Sequence, residues 1–190
     1  MATIRSGAQP VLMIVDVQVG VIRDAWDAPR IVANIARALE RARAAKVPVI
    51  WVQHADHEMP CDSDAWQWVP ELVPAPGEAR IHKVWNSAFE ETGLDDLLER
   101  LGTSRIVLAG ALSNWCIRAT SHAALERGYD LTLLSDAHTT SSMTLEDGTK
   151  IEAARIVDEL NIAMTWMQYP GRATSTANAQ AADFGAATAA

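Results

Sequence analysis

Four short apolar runs, separated by longer segments with helical spacing, are the feature that most constrains the fold of this chain. The runs are rich in Val, Ile and Leu and contain few polar residues, which is typical of strands buried on both faces of a parallel sheet. They lie at residues 11–15, 47–52, 105–109 and 131–134. The sequence therefore predicts at least four parallel strands.

Apolar residues recur at helical spacing between and after these runs, at residues 29–45, 93–101, 114–127 and 145–160. This repeated order of strand and helix predicts an α/β fold, a three-layer α/β/α sandwich around a mostly parallel, Rossmann-like sheet. A last apolar run at residues 162–166 is predicted to add an edge strand, which gives a sheet of five or six strands.

The domain organisation follows from length and from a change in composition. A chain of 190 residues has the size of one domain. After residue 170 the sequence turns to Ala, Thr, Ser, Asn and Gln with few large apolar residues, so it cannot bury a core of its own. We predict a domain at residues 1–170 and a tail at residues 171–190. The alternative is an arm packed across a partner subunit, with Phe184 as its anchor.

The charge of the chain excludes two classes of partner. The net charge is −8 at pH 7, and no run of Lys and Arg interrupts it. Such a field repels phosphate backbones and anionic membranes, so we expect neither nucleic acid nor membrane as a partner. The N-terminus lacks the pattern of a signal peptide, and the apolar runs are far shorter than a membrane helix. We therefore expect a cytoplasmic protein.

Tryptophan is frequent in this chain, with seven in 190 residues. Two of them lie in the segment at residues 62–74, which we expect to cover a site or to pack on a neighbour. An apolar surface of this kind predicts a homo-oligomer, either a dimer or a tetramer. The two cysteines, Cys61 and Cys116, form no CxxC pair and are expected to be free thiols.

Residues that follow a strand are the first candidates for a site, because parallel sheets bind ligands beyond the carboxyl ends of their strands. Asp16 directly follows the first run, where partial burial would raise the pKa of its carboxyl and make it a usable base. Cys116 lies in the first turn of a predicted helix, where the helix N-terminus favours the thiolate and offers N–H donors to an oxyanion. Lys83 follows a short strand-like stretch, and its ammonium could stabilise both groups.

Each of these residues also has an ordinary structural interpretation when it is taken alone. Asp16 could cap a helix, Cys116 could be a small buried hydrophobe, and Lys83 could be a solvated surface residue. The residues carry more weight together, because they stand in four motifs in a fixed order. The motifs are IVDVQ at residues 14–18, KVWNSAF at 83–89, AGALSNWCIRAT at 109–120 and GYDLTLLSDAHTT at 128–140.

These motifs resemble those of the isochorismatase-like cysteine hydrolases, which include nicotinamidases, N-carbamoylsarcosine amidases and lactam hydrolases. The resemblance covers roughly residues 10–140. It implies a catalytic triad in which Cys116 is the nucleophile, Asp16 is the base and Lys83 holds the charges in register. It also implies an oxyanion hole made by the backbone N–H groups of Leu112 and Cys116, after a cis peptide bond between Ala111 and Leu112.

The resemblance implies no cofactor for this chain. Nicotinamidase-like relatives carry a metal site with an Asp-x-His pattern and a later His, whereas this chain reads VQHADHEM, with Asp56 and His57 adjacent. We therefore predict no metal. A weak site made by His54 and His57 is the alternative, since histidine is a common zinc ligand.

The resemblance and the intact Cys116 predict hydrolysis of a carbon–nitrogen bond in a small amide, lactam or ureido compound. We expect Gln18, His54, Trp85 and Trp115 to line the substrate pocket, because each flanks a motif or ends a strand at the same edge of the sheet. Aromatic side chains there favour a cyclic amide or a lactam. Two alternatives stay open: hydrolysis of a vinyl ether, which needs no thiol, and a non-catalytic binding protein on the same fold.

Overall fold

The computed structural model describes residues 2–185. The strands are β1 (Gln9–Val15), β2 (Val49–His54), β3 (Ala79–Lys83), β4 (Thr103–Ala111), β5 (Asp130–Thr139), β6 (Met143–Thr144), β7 (Lys150–Ile151) and β8 (Thr174–Ala177). The helices are α1 (Val19–Ile22), α2 (Ala28–Ala44), α3 (Leu94–Arg100), α4 (Arg118–Glu126) and α5 (Ala153–Trp166), and a π-helical turn, Ser113–Ile117, precedes α4. Within residues 2–185, no helix has the length and apolarity needed to span a bilayer.

Six strands form one sheet in the order β3-β2-β1-β4-β5-β8, and every neighbouring pair is parallel. The predicted α/β class with a parallel sheet is therefore confirmed. The chain leaves β1 toward β2 on one side of the sheet and later returns to β4 on the other side. This reversal places the crevice for a ligand beyond the carboxyl ends of the central strands.

The two faces of the sheet bury two separate apolar clusters. Successive side chains of β1 point to opposite faces. Leu12 and Ile14 lie in the cluster that includes α2, whereas Val11, Met13 and Val15 lie in the cluster that includes α3, α4 and α5. All five side chains are fully buried. Burial on both faces explains why the run shows no alternation of apolar and polar residues.

The predicted edge strand at residues 162–166 is wrong, because these residues form the last turns of α5. Leu160 and Met164 are fully buried, whereas Ile162 and Trp166 are exposed. Buried positions four residues apart with exposed positions between them follow the period of a helix rather than that of a strand.

Two predicted helices begin differently in the structure. The helix predicted at residues 145–160 starts at Ala153, because the hairpin of β6 and β7 occupies the preceding segment. The hairpin turns at Gly148, whose φ of 83° is a left-handed conformation that glycine adopts without steric cost. The helix predicted at residues 114–127 begins with the π-helical turn and becomes α-helical at Arg118.

Residues 171–185 are not a tail, so the predicted boundary after residue 170 is wrong for this part of the chain. Strand β8 pairs with β5 and completes the sheet. Its polar residues fit there because an edge strand pairs on one side only. Phe184 is buried in the apolar cluster beside α2 of its own chain. Residues 186–190 of the predicted tail lie outside the described residues.

Two aspartates of β5 tie this last segment to the sheet. Asp130 accepts the backbone N–H of Ala173 on Oδ1 and that of Ala2 on Oδ2, both at 2.6 Å. Asp136 accepts the N–H of Ala179 on Oδ1 at 2.7 Å. Charge-assisted hydrogen bonds to backbone N–H groups are among the stronger ones in proteins. They hold both ends of the described chain against β5.

The segment at residues 62–74 packs on its own chain beside the strand ends. Backbone hydrogen bonds of 2.8 to 3.2 Å join it to residues 17–20. The Trp66 indole stacks on the ring of His82, with 5.5 Å between the ring centroids. These contacts hold the segment in place beside the carboxyl ends of β1 and β2.

Candidate active site

The three side chains that the sequence singled out come together at the carboxyl ends of three strands. Asp16 follows β1, Lys83 is the last residue of β3, and Cys116 lies in the π-helical turn after β4. Because all these strands are parallel, their carboxyl ends share one edge of the sheet. The side chains bridge the intervening β2 to reach each other.

The ammonium of Lys83 is the centre of the cluster. Its Nζ lies 2.7 Å from Oδ2 of Asp16 and donates a hydrogen bond to Sγ of Cys116 at 3.3 Å. The side chains of Lys83 and Asp16 are 0% and 1% exposed, so the ion pair is removed from water. A buried pair of opposite charges persists only where geometry and further hydrogen bonds compensate for desolvation. Here the thiol supplies part of that compensation.

Asp16 is suited to taking up a proton. Burial raises the pKa of its carboxyl above the usual range, while the charge of Lys83 and hydrogen bonds from Lys83 and Cys116 act in the opposite direction. Burial dominates, as the sequence predicted for a carboxylate at the rim of an apolar sheet. A carboxyl with a raised pKa accepts and returns a proton more readily near neutral pH.

Cys116 holds its proton more firmly than the sequence predicted. Burial and the negative charge of Asp16 raise the pKa of the thiol to about 12, against the opposing effect of Lys83. The direction is opposite to the one expected from the position of Cys116 at a helix N-terminus, because burial and Asp16 act against the thiolate. The partial charge of a helix end is too small to offset desolvation at this depth. The resting cluster is a thiol beside an ion pair.

The turn that carries Cys116 depends on a close approach between β4 and β1. Gly110 has a φ of 129°, and a Cβ there would lie 2.0 Å from the carbonyl oxygen of Val15. Only glycine permits this contact. The peptide bond between Ala111 and Leu112 is cis, as the resemblance implied. The carbonyl of Leu112 then accepts N–H groups from the π-helical turn.

The four residues predicted to line the substrate pocket have different positions. Gln18 is fully buried, and its side chain bonds both backbone groups of His54 at 2.9 Å and the carbonyl of Trp66. Its predicted contact with substrate is therefore wrong, because its amide is already engaged. The rings of Trp85 and Trp115 are 52% and 49% exposed, so neither is a core residue.

His54 lies next to the cluster of Asp16, Lys83 and Cys116. Its Nδ1 is 3.5 Å from Nζ of Lys83, and its Nε2 is 3.2 Å from Oδ2 of Asp56. His57 is almost fully exposed and lies 3.8 Å from Glu58. Among residues 2–185, no three His, Cys, Asp or Glu side chains come close enough together to hold a metal ion.

Sequence reasoning missed a group of polar residues beneath the π-helical turn, in which Ser113 and His138 are buried and Asn161 is half-buried. His138 of β5 lies 2.8 Å from Oγ of Ser113 through Nδ1 and 3.1 Å from Oδ1 of Asn161 through Nε2. Asn161 in turn donates to the carbonyl of Ser135 at 3.0 Å, which fixes the orientation of its amide. Burial lowers the pKa of His138 to about 4, so the ring is neutral at pH 7. Ser113 and His138 lie in two of the four motifs, but no pattern in the sequence indicates that they contact each other or Asn161.

Comparison with known proteins gives a consistent result. A family model described as Isochorismatase domain matches residues 10–168. Streptothricin hydrolase from Streptomyces noursei is 32% identical over 144 residues, and nicotinamidase 3 from Arabidopsis thaliana is 27% identical over 142 residues. The crystal structure of an isochorismatase from Pseudomonas putida KT2440 has a TM-score of 0.81 and 29% identity, with 91% of each chain covered.

These similarities differ in how much of each relative they cover. The match to streptothricin hydrolase includes 72% of this chain but 57% of that enzyme, and the match to nicotinamidase 3 includes 65% of this chain and 71% of the relative. This chain thus spans little more than half the length of the first curated relative that it matches. The similarity concerns the domain described above.

Proposed function

Since this chain belongs to the isochorismatase family, we propose that it is a cysteine-dependent hydrolase of a carbon–nitrogen bond in a small amide, lactam or ureido compound. One observation carries the proposal: a single ammonium, Lys83, contacts both a buried carboxylate and a thiol, at 2.7 and 3.3 Å. The name of one relative, nicotinamidase, states that it hydrolyses an amide. The name streptothricin hydrolase likewise states hydrolysis.

The first half of the reaction forms a thioester. Asp16 takes the proton of the Cys116 thiol as sulfur attacks the substrate carbonyl carbon. No free thiolate has to form beforehand, which would be unfavourable because the pKa of the thiol is about 12. The N–H groups of Leu112 and Cys116 bind the oxyanion of the tetrahedral intermediate. The protonated Asp16 then gives its proton to the nitrogen, the carbon–nitrogen bond breaks, and the amine leaves.

The second half of the reaction releases the acid. Asp16, ionised again, takes a proton from a water molecule whose oxygen attacks the thioester carbon. The carbon–sulfur bond breaks, and the departing sulfur of Cys116 recovers a proton from Asp16. The positive charge of Lys83 stabilises whichever of its two neighbours, Asp16 or Cys116, is negative. One carboxyl thus serves as base and acid in both halves.

A neutral cyclic amide or a lactam is the substrate class that we propose. The half-exposed residues Trp85 and Trp115 lie in the motifs that carry Lys83 and Cys116, and aromatic rings bind flat, cyclic groups well. The one arginine within the catalytic motifs, Arg118, forms an ion pair with Glu159. A substrate carboxylate would have to compete with that glutamate.

The proposal is tested by measuring amine or ammonia release, or ring opening, from a panel of small primary amides, carbamoyl compounds and lactams. Cys116→Ser and Asp16→Asn should each lower kcat by about a thousandfold or more. Cys61→Ser is the matched control, since that thiol is exposed and is not in contact with Lys83. Circular dichroism checks that each variant is folded.

Two outcomes would overturn the proposal in favour of its alternatives. If a vinyl ether is cleaved and Cys116→Ala retains that activity, the protein is a vinyl ether hydrolase. If no compound of the panel is hydrolysed while some bind with equal affinity to the wild type and to Cys116→Ser, it is a binding protein.

A further inference from the structure

All three N–H groups of the Lys83 ammonium have an acceptor within reach, and one of these acceptors lies outside the proposed triad. Nζ is 2.7 Å from Oδ2 of Asp16, 3.3 Å from Sγ of Cys116 and 3.5 Å from Nδ1 of His54. The Lys83 side chain has no exposed surface. An ammonium N–H without an acceptor in this place would lose its hydration and gain nothing in return.

His54 can accept a hydrogen bond from Lys83 in one tautomer only. Nδ1 of a neutral imidazole accepts when the ring proton is on Nε2. Nε2 lies 3.2 Å from Oδ2 of Asp56, and an ionised carboxylate accepts but does not donate. Asp56 therefore favours the tautomer that leaves Nδ1 free to face the ammonium.

Asp56 is itself held in place and kept ionised. Its Oδ1 accepts the backbone N–H groups of Met59 and Glu58 at 2.7 and 2.9 Å. The bond from Met59 is the main reason that the pKa of this carboxyl is lowered. Asp56 thus stays an acceptor over the neutral pH range.

The backbone of His54 is fixed as well. The side-chain amide of Gln18 accepts the N–H of His54 and donates to its carbonyl, both at 2.9 Å. Lys83 from β3 and Asp56 from the loop after β2 contact the two ring nitrogens, and Asp16 and Cys116 contact the same ammonium as the ring does. The imidazole therefore stands between a surface carboxylate and the buried cluster.

We infer that Asp56 and His54 form a positioning pair for Lys83: Asp56 selects the tautomer, and His54 takes the third N–H of the ammonium. This holds Nζ between the Asp16 carboxylate and the Cys116 sulfur. The inference rests on the proposed function, because it gives His54 a role that acts through Lys83. It replaces the predicted contact of His54 with substrate.

The test measures the rate at which iodoacetamide alkylates Cys116 over a range of pH, by mass spectrometry of the peptide. The exposed Cys61 reports in the same sample on general reactivity and on the integrity of its loop. His54→Leu removes the acceptor, whereas His54→Asn places an amide oxygen where Nδ1 lies. Asp56→Asn keeps an oxygen for the two backbone N–H groups but offers His54 a donor. His57→Asn, next in sequence to Asp56 and exposed, is the control.

We expect His54→Leu to react about tenfold more slowly than the wild type, with its rise in rate moved to higher pH, because a less well paired ammonium stabilises the thiolate less. Asp56→Asn should move in the same direction, since it favours the wrong tautomer. His54→Asn should restore most of the rate, and His57→Asn should match the wild type. Cys61 should react equally in all variants.

Two results would overturn the inference: a wild-type rate and pH profile in both His54→Leu and Asp56→Asn, or equal loss in His54→Asn and His54→Leu with Cys61 unchanged. If His54→Leu does not fold, Asp56→Asn and His54→Asn decide the question between them. Alkylation needs no substrate, so the positioning pair can be established even if every amide in the panel fails as a substrate.

Discussion

Cys116 and Ser113 lie three residues apart in the same π-helical turn, but their side chains enter different surroundings. The sulfur of Cys116 meets the charged cluster, which we define as Asp16, Lys83, His54 and Asp56. The hydroxyl of Ser113 meets the neutral cluster, which consists of His138 and Asn161.

Both clusters contain a histidine with a polar partner at each ring nitrogen, and the two histidines differ in burial and in the charge of these partners. His54 keeps 18% of its side chain exposed and contacts an ionised carboxylate, whereas His138 is fully buried and its two hydrogen-bond partners, Ser113 and Asn161, are neutral. A low dielectric penalises an unpaired charge and strengthens a complete hydrogen-bond network. The fold therefore places charged groups where the proposed reaction transfers protons, and neutral hydrogen bonds beneath the turn that carries Cys116.

The largest expected effect comes from breaking the charged cluster. Lys83→Met leaves the Asp16 carboxyl buried without its cation, and we expect the free energy of unfolding to fall by about 3–5 kcal/mol. Because paired replacement removes both charges, the double variant Asp16→Asn/Lys83→Met should be more stable than the sum of the single changes predicts. Urea unfolding, followed by tryptophan fluorescence, measures all three. Strict additivity would show that the two groups do not interact.

The neutral cluster should show itself in the pH dependence of stability. The pKa of His138 is near 6.5 in the unfolded chain and about 4 in the folded one, so between these values the unfolded state binds more protons. The contribution of His138 to the free energy of unfolding is then fully present above pH 6.5, and about 3 kcal/mol of it is lost as the pH drops to 4.

A matched variant isolates this contribution from that of the carboxylates. His138→Asn keeps an acceptor for Ser113 and cannot titrate, so its stability should decline less than that of the wild type from pH 6.5 to 4. Urea unfolding at each pH provides the difference. If stability declines equally with pH in the two proteins, folding does not lower the pKa of His138.

The smallest expected effect lies at the exposed margin of the site. Trp85→Ala and Trp115→Ala should lower the free energy of unfolding by about 1–2 kcal/mol, because each residue buries only about half of its surface. Each should raise KM several-fold for a cyclic amide and leave an open-chain amide of similar size unaffected. Trp166→Ala is the control, since that ring is 76% exposed and lies on α5. Equal effects on both kinds of amide would contradict a preference for rings.

The sequence could predict the elements whose composition reflects burial. The central strands were found because both faces are apolar, and Asp16, Lys83 and Cys116 were found because each stands where a strand ends. Strand β8 could not be found, since Thr174–Ala177 is polar and becomes a strand only by pairing with β5. Residues 162–166 were misassigned because a short apolar run fits a helix or a strand equally well.

In the site, too, the sequence indicates the positions of residues along the chain but not how deeply their side chains are buried. Sequence position indicated a helix N-terminus at Cys116 but not the burial that raises its pKa. The contacts of His138 with Ser113 and Asn161 join residues that are 25 and 23 positions apart. Such contacts are set by the packing of β5, α5 and the π-helical turn, and no motif contains them. Gln18 was misjudged for a related reason, because its position at the strand end was visible and its engaged amide was not.

Strand β8 lies near the end of the described chain and covers the edge of β5, so its loss would affect resistance to proteolysis and to aggregation. Both outer strands of the sheet are short, and they carry polar or charged residues, which discourages pairing with another molecule. The link between α5 and β8 runs over the surface, with Gln168, Pro170 and Gly171 exposed. A protease that cut there and released β8 would leave the apolar strand β5 as the new edge, with its backbone open to a strand from another chain.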